Sequence, residues 1–356
     1  MDSEETGGRW VCSEEVDRRF LYAGLYASAA VLLLFIPFGG PPRLTHDNAG
    51  LLGLSTLFVY AVMVVPHFTM TWWIWLGNGP LRDGMAAQGR RFGLANLAFL
   101  AVAAPTLLLA TQSRAGAIAV LTTIGVIDAY HFISQDQGFL SVYRHRAGEG
   151  TAHARRDRWL TRTLAAWMLL NTLGHPAAAY WVDIGWSDMP AWPVVLPGWV
   201  FWASHVVLGA LVAETLWAQW RQPGGPNRHK LGYLASAVTS YGLVPVTPLL
   251  GYFAARMHHS ASYLGLCMHI TRNLDQHGHF RDRLLPWAAQ KPARFLAVAT
   301  VASLPVFACF VVGAQVDGFG LAIGLASLVT FHHYFVDTFI WRFSRPEVRE
   351  HVGAYI

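Results

Sequence analysis

Phe92–Thr111 reads FGLANLAFLAVAAPTLLLAT, an uncharged apolar run long enough to cross a bilayer core as one helix. The pattern recurs on both sides of it. Further apolar runs lie at about 20–38, 49–76, 115–140, 159–182, 192–218, 231–249, 250–271, 293–315 and 318–342, the junction at Pro248–Gly251 being the least marked. Runs of this length are too long for barrel strands, and in lipid only a helix satisfies such a backbone internally. Composition agrees: AVILMFWYC make up 54% of the 356 residues, DEKR only 13%, and mean hydropathy is +0.34. That is about half the usual globular share of charge, which excludes a soluble multidomain protein.

The net charge of +5 and pI near 9.2 do not point to nucleic acid, because the basic residues lie in short loops between apolar runs. With both termini cytoplasmic, only Arg43 and Arg114 of the 26 basic residues fall outside, and Arg256 falls within a helix. Cys12, Cys267 and Cys309 are scattered and give no disulfide framework. The first run follows Arg18–Arg19 with no cleavage site after it, so it reads as a retained helix. The expectation is an all-α integral membrane protein of about ten transmembrane helices. It comprises a cytoplasmic segment 1–19, a single polytopic domain 20–342 and a cytoplasmic tail 343–356.

Sixteen histidines are many for so apolar a chain. His46, His145, His153, His229, His277, His279 and His351 fall in loops and read as solvated. Those inside apolar runs mark function, because an ionisable group is costly there. His67, His131, His205, His258–His259 and His332–His333 lie on helices of one direction. Counted back from the cytoplasmic ends, they share a layer roughly 14–20 Å deep. His175 and His269 fall outside it. A metal site built from several helices requires a shared depth; independent packing histidines do not.

Acids join the layer. Asp128 and Asp136 flank His131 in Ile127–Gln137, and Asp337 is one turn after His333. Gln135, Thr71 and Tyr263 each follow a histidine by four residues. Imidazole with carboxylate suits iron, copper or zinc, and histidine ligands with open positions suit non-haem iron and dioxygen. Non-covalent haem is a further option, since C-x-x-C-H is absent. The candidate ligands are His67, His131, His259 and His332, with His258 and His333 as their neighbours. Asp136 and Asp337 are candidates to orient imidazoles or to ligate, and Tyr263 to donate a hydrogen bond to dioxygen. The expected partners are the lipid bilayer, a lipophilic substrate and dioxygen. A proton- or metal-coupled transporter and a haem electron-transfer protein are the competing classes.

The order of these motifs resembles the Brp/Blh family of bacterial membrane enzymes that cleave β-carotene to retinal. The matching residues are Pro66-His67, His131-Phe132 with Asp136, His259-Ser260, and His332 with Asp337. The resemblance covers about 40 residues in four motifs. It implies a non-haem iron(II) oxygenase of a bacterial-type inner membrane, with His67, His131 and His259 matching iron ligands. Two positions depart from the family pattern: Tyr263 stands where the third motif has a second histidine, and Thr71 where the first has an acid. The fourth ligand then falls to His258, His332 or Tyr263.

Overall fold

The computed structural model describes residues 10–38, 58–77, 79, 82–83, 86, 89–173, 196–244, 246–280, 282–316 and 319–341. Arg43, His46, His175, Pro245, Arg342, Arg345, Arg349, His351 and the tail 343–356 lie outside the described residues. All regular elements among the described residues are helical: α1 (Glu14–Val16), α2 (Ala23–Phe38), α3 (Val65–Gly77), α4 (Gly89–Gln112), α5 (Arg114–Arg146), α6 (Thr151–Leu173), α7 (Gly198–Trp220), α8 (Arg228–Gly242), α9 (Pro248–Gln276), α10 (Leu284–Ala289), α11 (Pro292–Val316) and α12 (Phe319–Ile340), with π-helical turns at Asp17–Leu21 and Tyr60–Val64. Each of the ten apolar runs contains a helix within its described part.

Three of these helices are long and apolar enough to cross a membrane: α4, α7 and Pro292–Cys309 of α11. The longer α5 and α9 carry Asp128, Asp136, Arg256 and their histidines in mid-helix. Two boundaries have local causes. The break expected at Pro248–Gly251 falls earlier, with α8 ending at Gly242 and α9 opening on Pro248, where a missing N–H costs nothing. Pro66 has no N–H and its ring crowds the carbonyl one turn back. The wide π turn at Tyr60–Val64 lies there, directly before His67.

The chain forms two compact units, 1–57 with 128–262 and 58–127 with 263–356. In the first, α2 packs on α8 and α6 on both α7 and α8. The α2–α8 crossing depends on small residues. A Cβ on Gly24 would stand 2.8 Å from the Ser236 carbonyl, and one on Gly232 2.8 Å from the Tyr22 ring. Gly232, Ser236 and Ser240 recur every four residues, the spacing that lets helices approach closely. In the second unit, α12 packs on α3, α4 and α11, and α11 on α3 and α10.

A buried ion cluster outside the apolar runs fixes the first unit. Lys230 is fully buried, with its Nζ 2.7 Å from Glu149 and 2.8 Å from Asp157. Asn227 caps α8 by accepting from the Lys230 N–H and donates 3.0 Å to Glu149. Nearby, Asp17 accepts from the Val11 and Cys12 N–H groups and, at 2.7 Å, from the Tyr143 hydroxyl. Burial still raises the Asp17 carboxyl above its ordinary value. Burial also acts to raise Glu149, but the Lys230 hydrogen bond and charge outweigh it and hold the carboxyl below its ordinary range. For Asp157 burial wins, with the Glu149 charge adding to it, and the value is raised.

Lys230→Met strands two buried carboxylates and should destabilise the fold by about 3–5 kcal/mol. Adding Glu149→Gln and Asp157→Asn should restore most of that loss in thermal unfolding. A lowered pKa gives Glu149 a contribution that is present above its unfolded value, near 4.5, and lost as pH falls through the folded value. The raised Asp157 works in the opposite sense, losing its contribution as pH rises. Glu149→Gln should therefore flatten the acid-side fall of Tm, and Asp157→Asn should steepen it.

Candidate metal centre

Each unit carries one pair of facing imidazoles. In the second unit, α3 delivers His67 and α12 delivers His333, both fully buried. Their Nε2 atoms stand 2.6 Å apart, with the rings edge to face at 73°. The Tyr263 ring lies flat on His67, 4.4 Å between centroids and 17° between planes.

Behind this pair runs a chain of hydrogen bonds. Thr71 Oγ1 is 2.9 Å from His333 Nδ1 and 2.5 Å from the Tyr263 hydroxyl, which donates 2.9 Å to Asp337. Trp341 Nε1 donates to both Tyr263 and Asp337, at 3.0 and 3.1 Å. Asp337 meets the pair directly as well: its Oδ1 accepts from Thr71 at 3.4 Å and its Oδ2 is 3.4 Å from His333 Nε2, so both ring nitrogens of His333 have polar neighbours that orient the ring towards His67.

In the first unit, α5 delivers His131 and α9 delivers His259. Their rings meet at 4.8 Å and 75°, and each offers a ring nitrogen within 4.8 Å of the other's. Phe132 stacks on His259 at 4.2 Å, and the Gln135 amide donates 2.9 Å to the His259 carbonyl.

The adjacent histidines occupy different places. His258 has both nitrogens engaged, Nδ1 at 3.0 Å from Ser236 Oγ and Nε2 at 3.3 Å from Asp136 Oδ1. Asp136 also accepts from the Tyr233 and Tyr241 hydroxyls at 2.6 and 2.7 Å. It therefore orients His258 rather than His131. His332 turns away from His67; its Nδ1 accepts from Trp72 Nε1 at 3.0 Å, and its ring packs on Phe99. His205 sits on α7 beside Trp167, and His269 bonds Asn273 at 3.1 Å. The structure thus brings together His67 with His333 and His131 with His259. Thr71 serves the neighbouring helix's imidazole rather than the one on its own helix, and Gln135 holds the neighbouring backbone.

Sequence reasoning passed over the partners of Asp136 on α8. It also placed Asp128 with the metal layer, whereas Asp128 pairs with Arg256 and Tyr252. Opposite charges inside two apolar runs were the available signal, since each needs a counter-charge. Trp341, one turn after Asp337, was the signal for the second network.

Neutralising one member of the Asp128–Arg256 pair, by Asp128→Asn or Arg256→Met, should cost about 3–5 kcal/mol by stranding the other. The double variant should recover most of that loss. Thermal unfolding of the three variants measures the coupling.

Comparison with family models, with curated proteins and with solved structures gives no match.

Proposed function

We propose that this chain is a ten-span protein of a bacterial-type inner membrane, with both termini cytoplasmic. In this reading it uses non-haem iron(II) and dioxygen to oxidise or cleave a lipophilic substrate of the carotenoid, polyene or lipid class. The observation that carries the reading is the His67–His333 pair, two buried Nε2 atoms 2.6 Å apart, with Thr71 and Asp337 holding the His333 ring in place. Imidazole nitrogens that ligate one ion at about 2.0–2.1 Å stand roughly 3 Å apart, so a small separation of the rings seats a metal. Buried imidazoles backed by a carboxylate suit iron, copper or zinc. The resemblance of the four ordered motifs to a carotene-cleaving family favours iron among these.

Bound iron supplies the one-electron chemistry with dioxygen that side chains lack. The chain's own part is to hold, orient and keep dry. His67 and His333 are the proposed ligands in the second unit, and His131 and His259 those in the first. Thr71 and Asp337 orient the His333 ring. The Tyr263 hydroxyl is committed to Asp337, so its ring serves as a wall against His67. Phe68 packs against both His67 and His333, an apolar surface suited to hydrocarbon and unfavourable to water.

Purified protein should hold stoichiometric iron and show no Soret band. His67→Ala, His333→Ala and His131→Ala should each lose iron and polyene oxidation, while His332→Ala should keep the iron. Thr71→Val should weaken iron binding about 10–100-fold, and Thr71→Ser should not. Protein without a redox metal, or full activity in His67→Ala and His131→Ala, overturns the proposal. A Soret band would replace it with haem. Metal-free protein passing protons or metal ions across liposomes would replace it with a transporter.

A further inference from the structure

The opening turns of α6, Thr151–Thr163, read TAHARRDRWLTRT, with Arg155, Arg156, Arg158 and Arg162 against the single acid Asp157. The acids of α6, of the loop before it and of α7 are already committed. Asp157 and Glu149 hold the buried Lys230, and Glu214 of α7 takes Arg156 at 2.9 Å. Arg155, Arg158 and Arg162 are exposed, and none of them meets a carboxylate among the described residues. No acid in the first turn of α6 offsets them. At 100° per residue the three fall within a stripe about 60° wide. Trp159, 59% exposed, stands beside that stripe.

A belt of aromatic rings lies at the same level of the first unit. α7 packs on α6, and the Arg156–Glu214 ion pair sets the end of α7 beside the start of α6. There Trp217 and Trp220 are exposed, and the Arg221 guanidinium lies 4.3 Å over the Trp217 ring. Exposed tryptophans gather where hydrocarbon meets headgroups, the ring facing chains and the N–H facing polar groups. Arginines without carboxylates at that boundary meet lipid phosphates, to which the planar guanidinium donates two parallel hydrogen bonds. Arg158 and Arg162 are one helical turn apart, near enough to grip one phosphate between them. A zwitterionic headgroup brings its own cation, so the uncompensated charge selects an anionic one. A soluble acidic partner would leave the tryptophans without a role. We infer that Arg155, Arg158 and Arg162, with Trp159, bind the headgroup of an anionic phospholipid at the cytoplasmic surface. This rests on the membrane reading and orientation proposed above, and not on the metal.

The test uses the full chain in a neutral detergent. Dioleoyl phosphatidylglycerol and dioleoyl phosphatidylcholine are titrated separately, and native mass spectrometry counts the bound lipid. Phosphatidylglycerol should bind about tenfold more tightly, and its advantage should shrink as salt rises. Arg158→Gln and Arg162→Gln should each weaken it about fivefold, and Arg158→Lys, which keeps the charge, should weaken it less. Arg90→Gln with Arg91→Gln, at two exposed arginines that open α4, should leave it unchanged. All these positions are exposed, so thermal unfolding should match that of the parent chain. Equal binding of the two lipids, insensitivity to the α6 variants, or an equal loss in the α4 variant overturns the inference. So does displacement of the lipid by inorganic phosphate at matched ionic strength, which would make this a site for a free anion. Entry of the chain into liposomes is followed in parallel. A chain that enters but shows no lipid preference loses this inference alone, and a chain that stays outside the bilayer loses the membrane reading with it.

Discussion

Charge buried among apolar helices must be paired, and that constraint decides where many of these helices meet. Lys230 at the start of α8 draws Glu149 and Asp157 to itself, which fixes the loop between α5 and α6 against α8. Arg256 and Asp128 tie α9 to α5, and Asp136 ties α5 to α8 through two tyrosines. Apolar packing alone would leave these helices free to slide and rotate. A buried carboxylate with named donors does not tolerate a shift of one residue, so the polar groups select one register.

The two carboxylates nearest the imidazoles use a common device. Asp136 accepts hydrogen bonds from Tyr233 and Tyr241 and meets His258; Asp337 accepts from Tyr263 and Trp341 and meets His333 both directly, at 3.4 Å, and through Thr71. Phenol and indole donors are neutral, so they stabilise a carboxylate without importing a second charge that needs its own partner. A carboxylate accepts, so each network ends on one. Surroundings separate His333 from His332: His333 Nε2 stands 2.6 Å from His67 Nε2 and 3.4 Å from Asp337, whereas the His332 Nδ1 is occupied by Trp72.

The helices and the singling out of mid-helix histidines were legible in the sequence. Both follow from the cost of burying polar groups in apolar runs, which is written in composition. The choice between adjacent histidines was not legible. His258 and His259 point about 100° apart, and only the neighbouring helix decides which of them meets Ser236 and which meets His131. Thr71 shows the same limit. One turn from His67 it reads as that ring's partner, yet a hydroxyl on one helix face is equally near a ring on the next helix, and His333 is where it bonds. Asp128 was misjudged because proximity in sequence to His131 outweighed the counter-charge at Arg256, more than a hundred residues away.

Among the described residues, length and hydropathy together mark three helices as candidates to cross a membrane, and the outer faces of α4 and α7 are apolar. On α4, Leu94, Leu97, Leu100 and Leu108 are exposed, and on α7 four tryptophans are exposed. On α3, by contrast, every residue from Val65 to Thr71 is buried. A helix whose outer face meets lipid must be apolar there, while a helix shielded by its neighbours is free to carry histidine, threonine and acid. The polar-bearing helix α9 is sheltered in this sense, with every residue from His258 to Gly265 buried, and its histidines there are among the groups for which the sequence alone suggested chemistry.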